Sequence, residues 1–267
     1  MSDFRITILG CGSSGGVPRF GGEWGACDPG NPRNRRRRCS ALVERRGPGG
    51  GITRVLFDTS PDMRAQLLDA GVATVDAVIY THSHADHVHG IDDLRMIAHL
   101  TRSRLPVWAD SSTAERLMAG FGYIFSTPTG SYYPPICTLN LIPGPVTIEG
   151  SGGPVTVEAI EVEHGTIRAQ ALRVGEMVYM PDVSAIPEAA WARLEGTGLF
   201  IIDALRRRPH PSHAHLDRAL EWIARLGPAR AVLTNLHVDL DHARLSAELP
   251  AGVIPAHDGL CLSFQGG

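Results

Sequence analysis

Short apolar runs rich in β-branched residues recur along this 267-residue chain. Runs of this length, bounded by glycine, proline or polar residues, are typical of strands. They predict strands at residues 6–9, 41–43, 55–57, 77–80, 139–142, 155–162, 169–174, 177–180, 200–202 and 231–233.

Helical patterns lie between some of these strands. One begins at Ser60, with Pro61 at its first helical position, and ends at Gly71. A second spans residues 212–226, where apolar residues recur at helical spacing, and a third lies near residues 239–248. Strands with interspersed helices favour an α/β or α+β sandwich.

One segment, residues 121–135, is unusually aromatic. It holds Phe121, Tyr123, Phe125, Tyr132 and Tyr133 among glycine, proline, serine and threonine. Two interpretations stay open: a packed loop, or a lid over a site.

Composition narrows the class of protein. Hydrophobic residues make up 43% and charged residues 20% of the chain, as in soluble globular proteins. A net charge of −3 argues against a protein whose whole surface binds nucleic acid or an anionic membrane. The first residues show no signal-peptide pattern, and the five cysteines are scattered, so we expect a cytoplasmic protein with reduced thiols.

All 25 basic residues are arginine, and the chain contains no lysine. The absence of lysine excludes a Walker A phosphate loop and any Schiff-base chemistry. Codon bias in a GC-rich genome is a sufficient cause.

The strongest chemical signal is the segment Thr-His-Ser-His-Ala-Asp-His at residues 81–87, directly after the predicted strand 77–80. Four side chains able to bind a metal occur within six residues: His82, His84, Asp86 and His87. Imidazole and carboxylate ligands suit zinc, manganese or iron. A metal site is therefore predicted at the end of this strand.

The His-x-His-x-Asp-His pattern after a strand resembles the metallo-β-lactamase superfamily. The resemblance covers nearly the whole chain, and it implies an αββα sandwich of two mixed β-sheets flanked by helices. We therefore expect one domain over residues 1–267, with a lid-like insertion around 121–135. The resemblance also implies later ligands at the ends of strands, for which His164, Asp182 and His237 are the candidates.

These assignments imply two divalent metal ions per chain, zinc or manganese, with iron as a further possibility. One ion would be bound by His82, His84 and His164, and the other by Asp86, His87 and His237, with Asp182 as the bridge. Two ions at such a site share a hydroxide that serves as the nucleophile at neutral pH.

Two further segments indicate a particular branch of this superfamily. Residues 10–18 form a glycine-rich loop after the first predicted strand. Residues 35–42 begin with a run of arginines and lead into the second predicted strand. Together with the metal motif they resemble the PhnP-like phosphodiesterase branch. That branch places a catalytic histidine where this chain has His213, which would protonate the leaving oxygen or hold the phosphate. His215 is the rival for this role, and Asp86 counts as catalytic as well as metal-binding.

The chain departs from this branch at two places. Only Cys27 stands where the branch carries a cysteine group for a structural zinc, and Cys39 is twelve residues away, so no such zinc is expected. The last metal ligand of the branch falls on Asn235, but His237 lies two residues on, and alternation along an extended chain would point both side chains the same way. His237 is accordingly predicted as the ligand.

Roles are also expected for other polar residues. Arg36, Arg37, Arg38 and Tyr132 are candidates for substrate binding, with Arg206–Arg208 as further candidates for phosphate contacts. Asp58 is expected to brace the ligand loop, Asp203 to be structural or to support a ligand, and His89 to orient a ligand. His99, His242 and His257 are expected at structural or surface positions.

The sequence thus predicts a phosphodiesterase that acts on a small cyclic or nucleotide-like phosphodiester. Three alternatives stay open: an RNA-processing nuclease of the same fold, a lactamase- or thioesterase-type acyl hydrolase, and a non-enzymatic binding module. A small phosphodiester is the expected partner, a homodimer is a possibility, and contact with membrane or nucleic acid is not expected.

Overall fold

The computed structural model describes residues 3–266. Its strands are β1 Phe4–Gly10, β2 Ser40–Arg46, β3 Ile52–Phe57, β4 Ala77–Ile79, β5 Leu105–Ala109, β6 Cys137–Leu141, β7 Val146–Ile148, β8 Val155–His164, β9 Ile167–Val174, β10 Met177–Met180, β11 Leu199–Asp203, β12 Arg230–Thr234, β13 Val253–Pro255 and β14 Leu260–Phe264. Its α-helices are α1 Met63–Asp69, α2 Ala85–Val88, α3 Leu94–Thr101, α4 Ser111–Phe125, α5 Glu188–Leu194, α6 Leu216–Leu226 and α7 His242–Glu248.

The strands form two sheets of seven. One has the order β14-β1-β2-β3-β4-β5-β6 and the other β13-β12-β11-β10-β9-β8-β7. Each sheet is mixed: β3 to β6 run parallel in the first, and β10 to β13 run parallel in the second, while the remaining pairs are antiparallel.

Alternation along the strands explains why the sheets stack face to face. In β11, Leu199 and Ile201 pack into the core shared by both sheets, while Phe200 and Ile202 pack against the helices on the other side. In β3, Val55 and Phe57 likewise face the shared core, whereas Leu56 faces α1 and its neighbours. Both faces of each sheet are therefore buried by apolar side chains, which gives four layers in the order helix, sheet, sheet, helix.

This architecture confirms the predicted αββα sandwich of two mixed sheets flanked by helices. The sequence pattern missed β5, β7, β13 and β14, which are short or lie near a sheet edge, and it missed α2 to α5. The pattern also predicted too early a start for the helix that precedes β12. That helix begins at Leu216, and residues 212–215 form a loop instead.

The parallel strands determine where polar side chains meet. Their carboxyl ends lie at one edge of each sheet, and the two edges adjoin in the sandwich. The chain leaves β4, β10, β11 and β12 at this edge, and each exit carries polar residues. Enzymes with parallel sheets place their sites at such strand ends.

The aromatic segment 121–135 is partly helical. Its first five residues belong to α4, which has a non-helical residue at Phe121, and residues 126–135 form a loop. Phe121 packs its ring against His89, with the ring centroids 5.7 Å apart, whereas Tyr132 is fully exposed. The role of a lid stays a prediction.

Within the described residues, no helix is both long enough and apolar enough to cross a membrane.

Replacing Ile201 with alanine tests the shared core. Ile201 is completely buried between the sheets, so we expect Ile201→Ala to lower the free energy of unfolding by about 2–5 kcal/mol. Urea denaturation followed by circular dichroism measures the loss. Ile254→Ala on β13 is the matched control because Ile254 is 42% exposed, and its effect should stay within about 0.5 kcal/mol. Equal losses in the two variants would contradict the assignment of this core.

Candidate active site

The loop after β4 carries the histidine motif. Tyr80 and Thr81 are buried, and the chain then remains extended up to His84, whose φ and ψ are −65° and 149°. His82 is buried, and His84 is exposed. The four-residue helix α2 follows at once and presents Asp86 and His87 one turn later. The local sequence thus brings four potential ligands to one strand end.

Two ligands come from the second sheet. His164 is the last residue of β8, and Asp182 lies two residues beyond the end of β10. Ligand atoms of His82, His84, His164 and Asp182 all lie within 4.8 Å of one another. The Nε2 atoms of His164 and His82 are 3.4 Å and 3.6 Å from Asp182 Oδ2.

His87 faces the other oxygen of the same carboxylate, and Asp86 lies beside His87. His87 Nε2 is 3.3 Å from Asp182 Oδ1 and 3.7 Å from Asp86 Oδ2. Asp182 therefore lies between two groups of candidate ligands: His82, His84 and His164 on one side, Asp86 and His87 on the other. The structure brings six of the seven predicted metal ligands together.

The donor set fits divalent cations. Nε2 of His82 and Nε2 of His87 are buried and find no hydrogen-bond partner among residues 3–266, a costly state for a polar atom that no ligand binds. Both atoms face Asp182, so a cation beside this carboxylate would satisfy them. Imidazole nitrogens with carboxylate oxygens suit zinc, manganese or iron.

Electrostatics also favour positive charge at this point. Burial alone raises the pKa of Asp182, but the surrounding imidazoles, His87 foremost, hold that pKa well below its ordinary value. Burial alone would lower the pKa of His87, yet Asp182, Asp58 and Asp86 raise it well above the ordinary value. Burial and then the charge of His87 lower the pKa of His82, which keeps this ring a neutral ligand.

The candidate ligands are held by a second set of contacts. Asp58 is fully buried in a left-handed conformation with φ 61°. Its carboxylate accepts hydrogen bonds from the backbone N–H of Thr81 at 2.8 Å and from the Thr81 hydroxyl at 2.8 Å, and it lies 2.7 Å from His87 Nδ1. These contacts orient His87 so that Nε2 faces Asp182, as in many metal sites. The Nδ1 of His164 donates in the same way to the carbonyl of Ser212 at 2.5 Å.

His213 lies beside this cluster on the loop before α6. Its ring centroid is 4.6 Å from that of His164, and its Nδ1 is 2.9 Å from Asp203 Oδ2 at the end of β11. Burial alone would lower the pKa of His213, but the hydrogen bond and the charge of Asp203, followed by Asp182, raise it to about 9. Sequence reasoning placed Asp203 as a structural or supporting residue without finding its partner, because the pairing depends on how the loop folds back.

Asn235 links the pair to the cluster. Its side-chain amide donates to Asp182 Oδ1 at 3.3 Å and to Asp203 Oδ1 at 3.2 Å. The residue is nearly buried and adopts a left-handed φ of 60°. Asn235, and not His237, is therefore the residue of the β12 end that reaches the cluster.

The expectation that His237 is a metal ligand is not supported by this geometry. In the described part of the chain, its Nε2 contacts the guanidinium of Arg19 and its Nδ1 lies 3.0 Å from Asp239 Oδ1. The left-handed turn at Asn235 breaks the extended alternation, so residues 235 and 237 do not point the same way.

Arg36 is a structural residue rather than a substrate-binding one. Its side chain is only 2% exposed, and its guanidinium donates to the carbonyls of His237 at 3.2 Å and Leu240 at 2.6 Å. The buried guanidinium thereby fixes the turn after β12, which corrects the expectation from the sequence.

The other predicted substrate contacts lie elsewhere. Arg37 pairs with Asp69 and Asp258, and Arg38 pairs with Asp62. Tyr132 is fully exposed on the loop after α4. None of the contacts found in residues 3–266 joins these side chains to the metal cluster, and their assignment to substrate stays a prediction.

Comparison with known proteins agrees with this architecture. Residues 53–235 match the family model described as a beta-lactamase superfamily domain. A solved structure, "Crystal Structure of a New Diphosphatase from the PhnP Family", is 33% identical over 98% of both chains, with a TM-score of 0.87. YhfI from Bacillus subtilis, a metallo-beta-lactamase fold protein, is 19% identical over 98% of this chain and 99% of its own, with a TM-score of 0.71, and this likeness shows the fold alone.

A curated relative is the Porphyromonas gingivalis protein named octanoyltransferase. It is 32% identical in an alignment of 263 residues, which covers 96% of this chain. The chain spans about half the length of that relative, 51%. The family match over two thirds of the sequence and the full-length likeness to the diphosphatase lead to one conclusion: this chain belongs to the metallo-β-lactamase superfamily of hydrolases, in its PhnP family.

Proposed function

We propose that this hydrolase is a dinuclear metal-dependent phosphodiesterase that acts on a small cyclic or nucleotide-like phosphodiester. The observation that carries the proposal is the His213–Asp203 pair, which lies beside a cluster of histidine and aspartate side chains that suit divalent metal ions. Hydrolysis of a phosphodiester needs charge neutralisation at phosphorus and a proton for the leaving oxygen, and the two features match these two needs.

The cluster has the ligands for two ions. His82, His84 and His164 would hold one, Asp86 and His87 the other, and Asp182 lies between both groups. Bound divalent ions would neutralise the phosphate oxygens and activate water as the nucleophile. Just beyond β12, Asn235 donates to Asp182 Oδ1, the carboxylate oxygen that also faces His87.

His213 is the residue proposed to handle the leaving oxygen. Its Nδ1 is engaged by Asp203, so Nε2 is the nitrogen that can donate a proton. Asp203 is itself fixed, because Oδ2 accepts the backbone N–H of Val183 at 3.1 Å and Oδ1 accepts the amide of Asn235. The imidazole is thereby held in one orientation, which a general acid requires.

Acyl transfer or acyl hydrolysis is the second candidate, since the Porphyromonas gingivalis relative is named octanoyltransferase. The cysteines near the site do not suit a thiolate mechanism: burial, followed by the charges of Asp258 and Asp182 respectively, raises the pKa of Cys11 and of Cys39 well above the ordinary value. An octanoyl thioester therefore belongs in any test of substrate class.

His213→Gln tests the proposed proton donor. We expect kcat on a 2′,3′-cyclic nucleotide, whose leaving group is an alkoxide, to fall about 10²–10⁴-fold, while metal content stays unchanged. The loss on bis-p-nitrophenyl phosphate should be much smaller, because p-nitrophenolate leaves without a proton. The matched control is His215→Gln, two residues further on at the N-terminus of α6, which should keep nearly full activity.

The same panel tests the substrate class. Purified, metal-analysed protein is assayed on these phosphodiesters and on a precursor tRNA, nitrocefin and an octanoyl thioester. Turnover of an acyl substrate without turnover of any phosphodiester would overturn the proposed function.

Asp58→Asn tests the support of the cluster. The amide cannot accept all the hydrogen bonds that the carboxylate accepts from Thr81 and His87, so His87 loses its fixed orientation. We expect metal affinity to fall about 10–100-fold, measured by competition with a chelator. Asp69→Asn is the control, because Asp69 is exposed and pairs with Arg37. An unchanged metal affinity in Asp58→Asn would show that Asp58 does not support the ligands.

A further inference from the structure

The first group of candidate ligands is complete for one ion. Its ligand atoms all lie within 4.8 Å of one another and belong to His82, His84, His164 and Asp182. Three imidazole nitrogens and one carboxylate oxygen make up the four ligands of a tetrahedral zinc site. Three of these four residues are at most 3% exposed. The side chains of this group are therefore sufficient to hold an ion without a further ligand.

The second group offers fewer ligands. His87 Nε2 lies 3.3 Å from Asp182 Oδ1 and 3.7 Å from Asp86 Oδ2. An ion at this position would meet one imidazole and two carboxylates, and it would share the Asp182 carboxylate with the first ion. Among residues 3–266, neither Asp86 nor His87 joins the compact set of four ligands. A further ligand would have to come from the end of β12, where the chain contacts Asp182 Oδ1.

The residue at that end of β12 is Asn235, and it presents a hydrogen-bond donor. Its Nδ2 lies 3.3 Å from Asp182 Oδ1 and 3.2 Å from Asp203 Oδ1. Carboxylate oxygens accept hydrogen bonds, so the N–H groups of the amide face the two aspartates. A flipped amide would place its own oxygen against both carboxylates, which would repel it. Because the same Asp182 oxygen faces His87, the N–H donor lies next to the position of the second ion.

The backbone fixes Asn235 in this position. The residue is 2% exposed and has the left-handed φ of 60°, which asparagine tolerates better than most residues. The N–H of Leu236 donates to the carbonyl of Cys11 at 2.7 Å, and the carbonyl of Thr234 accepts the N–H of Ala204 at 3.0 Å. Rotation of the amide oxygen towards the second group would break both hydrogen bonds to the aspartates. An N–H donor cannot bind a cation, so the second group lacks a ligand from β12.

We propose that the two metal positions of this protein differ in affinity, and that Asn235 causes the difference. The first group holds its ion tightly. The second group holds its ion weakly, because an N–H donor lies where a further ligand would bind. This inference rests on the two-ion site of the proposed function. It makes the second ion exchangeable at free metal concentrations that leave the first ion in place.

Metal counting tests the difference in affinity. Purified protein is dialysed against zinc that chelators buffer over a range of free concentrations, and the zinc bound per chain is measured by mass spectrometry. We expect two steps of one ion each, at least about 100-fold apart in free zinc, because even the loss of an outer partner of a ligand costs about 10–100-fold in affinity. His84→Gln should weaken the tight step, whereas Asp86→Asn should weaken the other.

Substitution of Asn235 tests the cause. Asn235→His offers an imidazole, and histidine is among the residues that adopt a left-handed φ. Asn235→Asp keeps the shape of the side chain and replaces the N–H donor with a carboxylate oxygen. In both variants we expect the weak step to move to free zinc concentrations at least about tenfold lower, while the tight step changes much less. Circular dichroism at the same zinc concentrations checks that each variant is folded.

Asn140→Asp is the matched control for the added charge. The amide of Asn140 donates to the carbonyls of Val107 and Thr138 and has no contact with either group of ligands among residues 3–266. Both steps should therefore stay as they are in the wild-type protein.

Two results would overturn the proposal. One is equal affinity for the two ions in the wild-type protein. The other is a pair of unequal steps that neither substitution of Asn235 shifts, since another feature would then set the difference. Ions are counted without turnover, so the test is separate from that of the proposed function. A protein that cleaves no phosphodiester would refute the proposed function alone, and equal affinities would refute this inference alone.

Discussion

The site depends on one buried carboxylate, that of Asp182, placed among imidazoles. A buried carboxylate is costly unless positive charge or hydrogen-bond donors surround it. Here His82, His87 and His164 approach it from different elements, at 3.3–3.6 Å. Two of these imidazoles present buried Nε2 atoms for which the described part of the chain offers no hydrogen-bond partner. The arrangement is therefore complementary to cations, and the rest of the site is arranged around that requirement.

The fold delivers these groups through strand ends from two sheets. The loop after β4 brings the histidine motif from the first sheet, and β8, β10, β11 and β12 bring the rest from the second. The shared core fixes the distance between the sheets, so its packing determines the geometry of the cluster. Buried polar residues next to the cluster, Asp58 above all, hold the candidate ligands in place through hydrogen bonds.

Sequence reasoning predicted the parts of the site that are local. The histidine motif is compact and follows a strand, so its side chains converge wherever that strand lies. His164 and Asp182 were predicted because both end a strand, and the resemblance indicated which strands. The αββα layers were predicted in the same way, from apolar runs and the motif together.

Sequence reasoning and the structure differ where the tertiary structure decides. His237 was predicted as a ligand on the assumption of an extended chain, but Asn235 adopts a left-handed conformation that redirects the next residues. Arg36 belongs to a charged run that suggested substrate contacts, yet carbonyls about 200 positions away bind its guanidinium. The pairing of Asp203 with His213 follows from a loop conformation, which periodicity does not reveal.

The most direct test of the account is the dependence of kcat on the leaving group. It uses a series of aryl and alkyl phosphodiesters whose leaving groups differ in pKa, assayed with the wild-type protein and with His213→Gln at equal metal content. The account predicts a shallow dependence in the wild type and a steep one in the variant, because poor leaving groups need the proton that His213 donates. Equal slopes in both proteins would contradict the account, since His213 would then not act on the leaving oxygen.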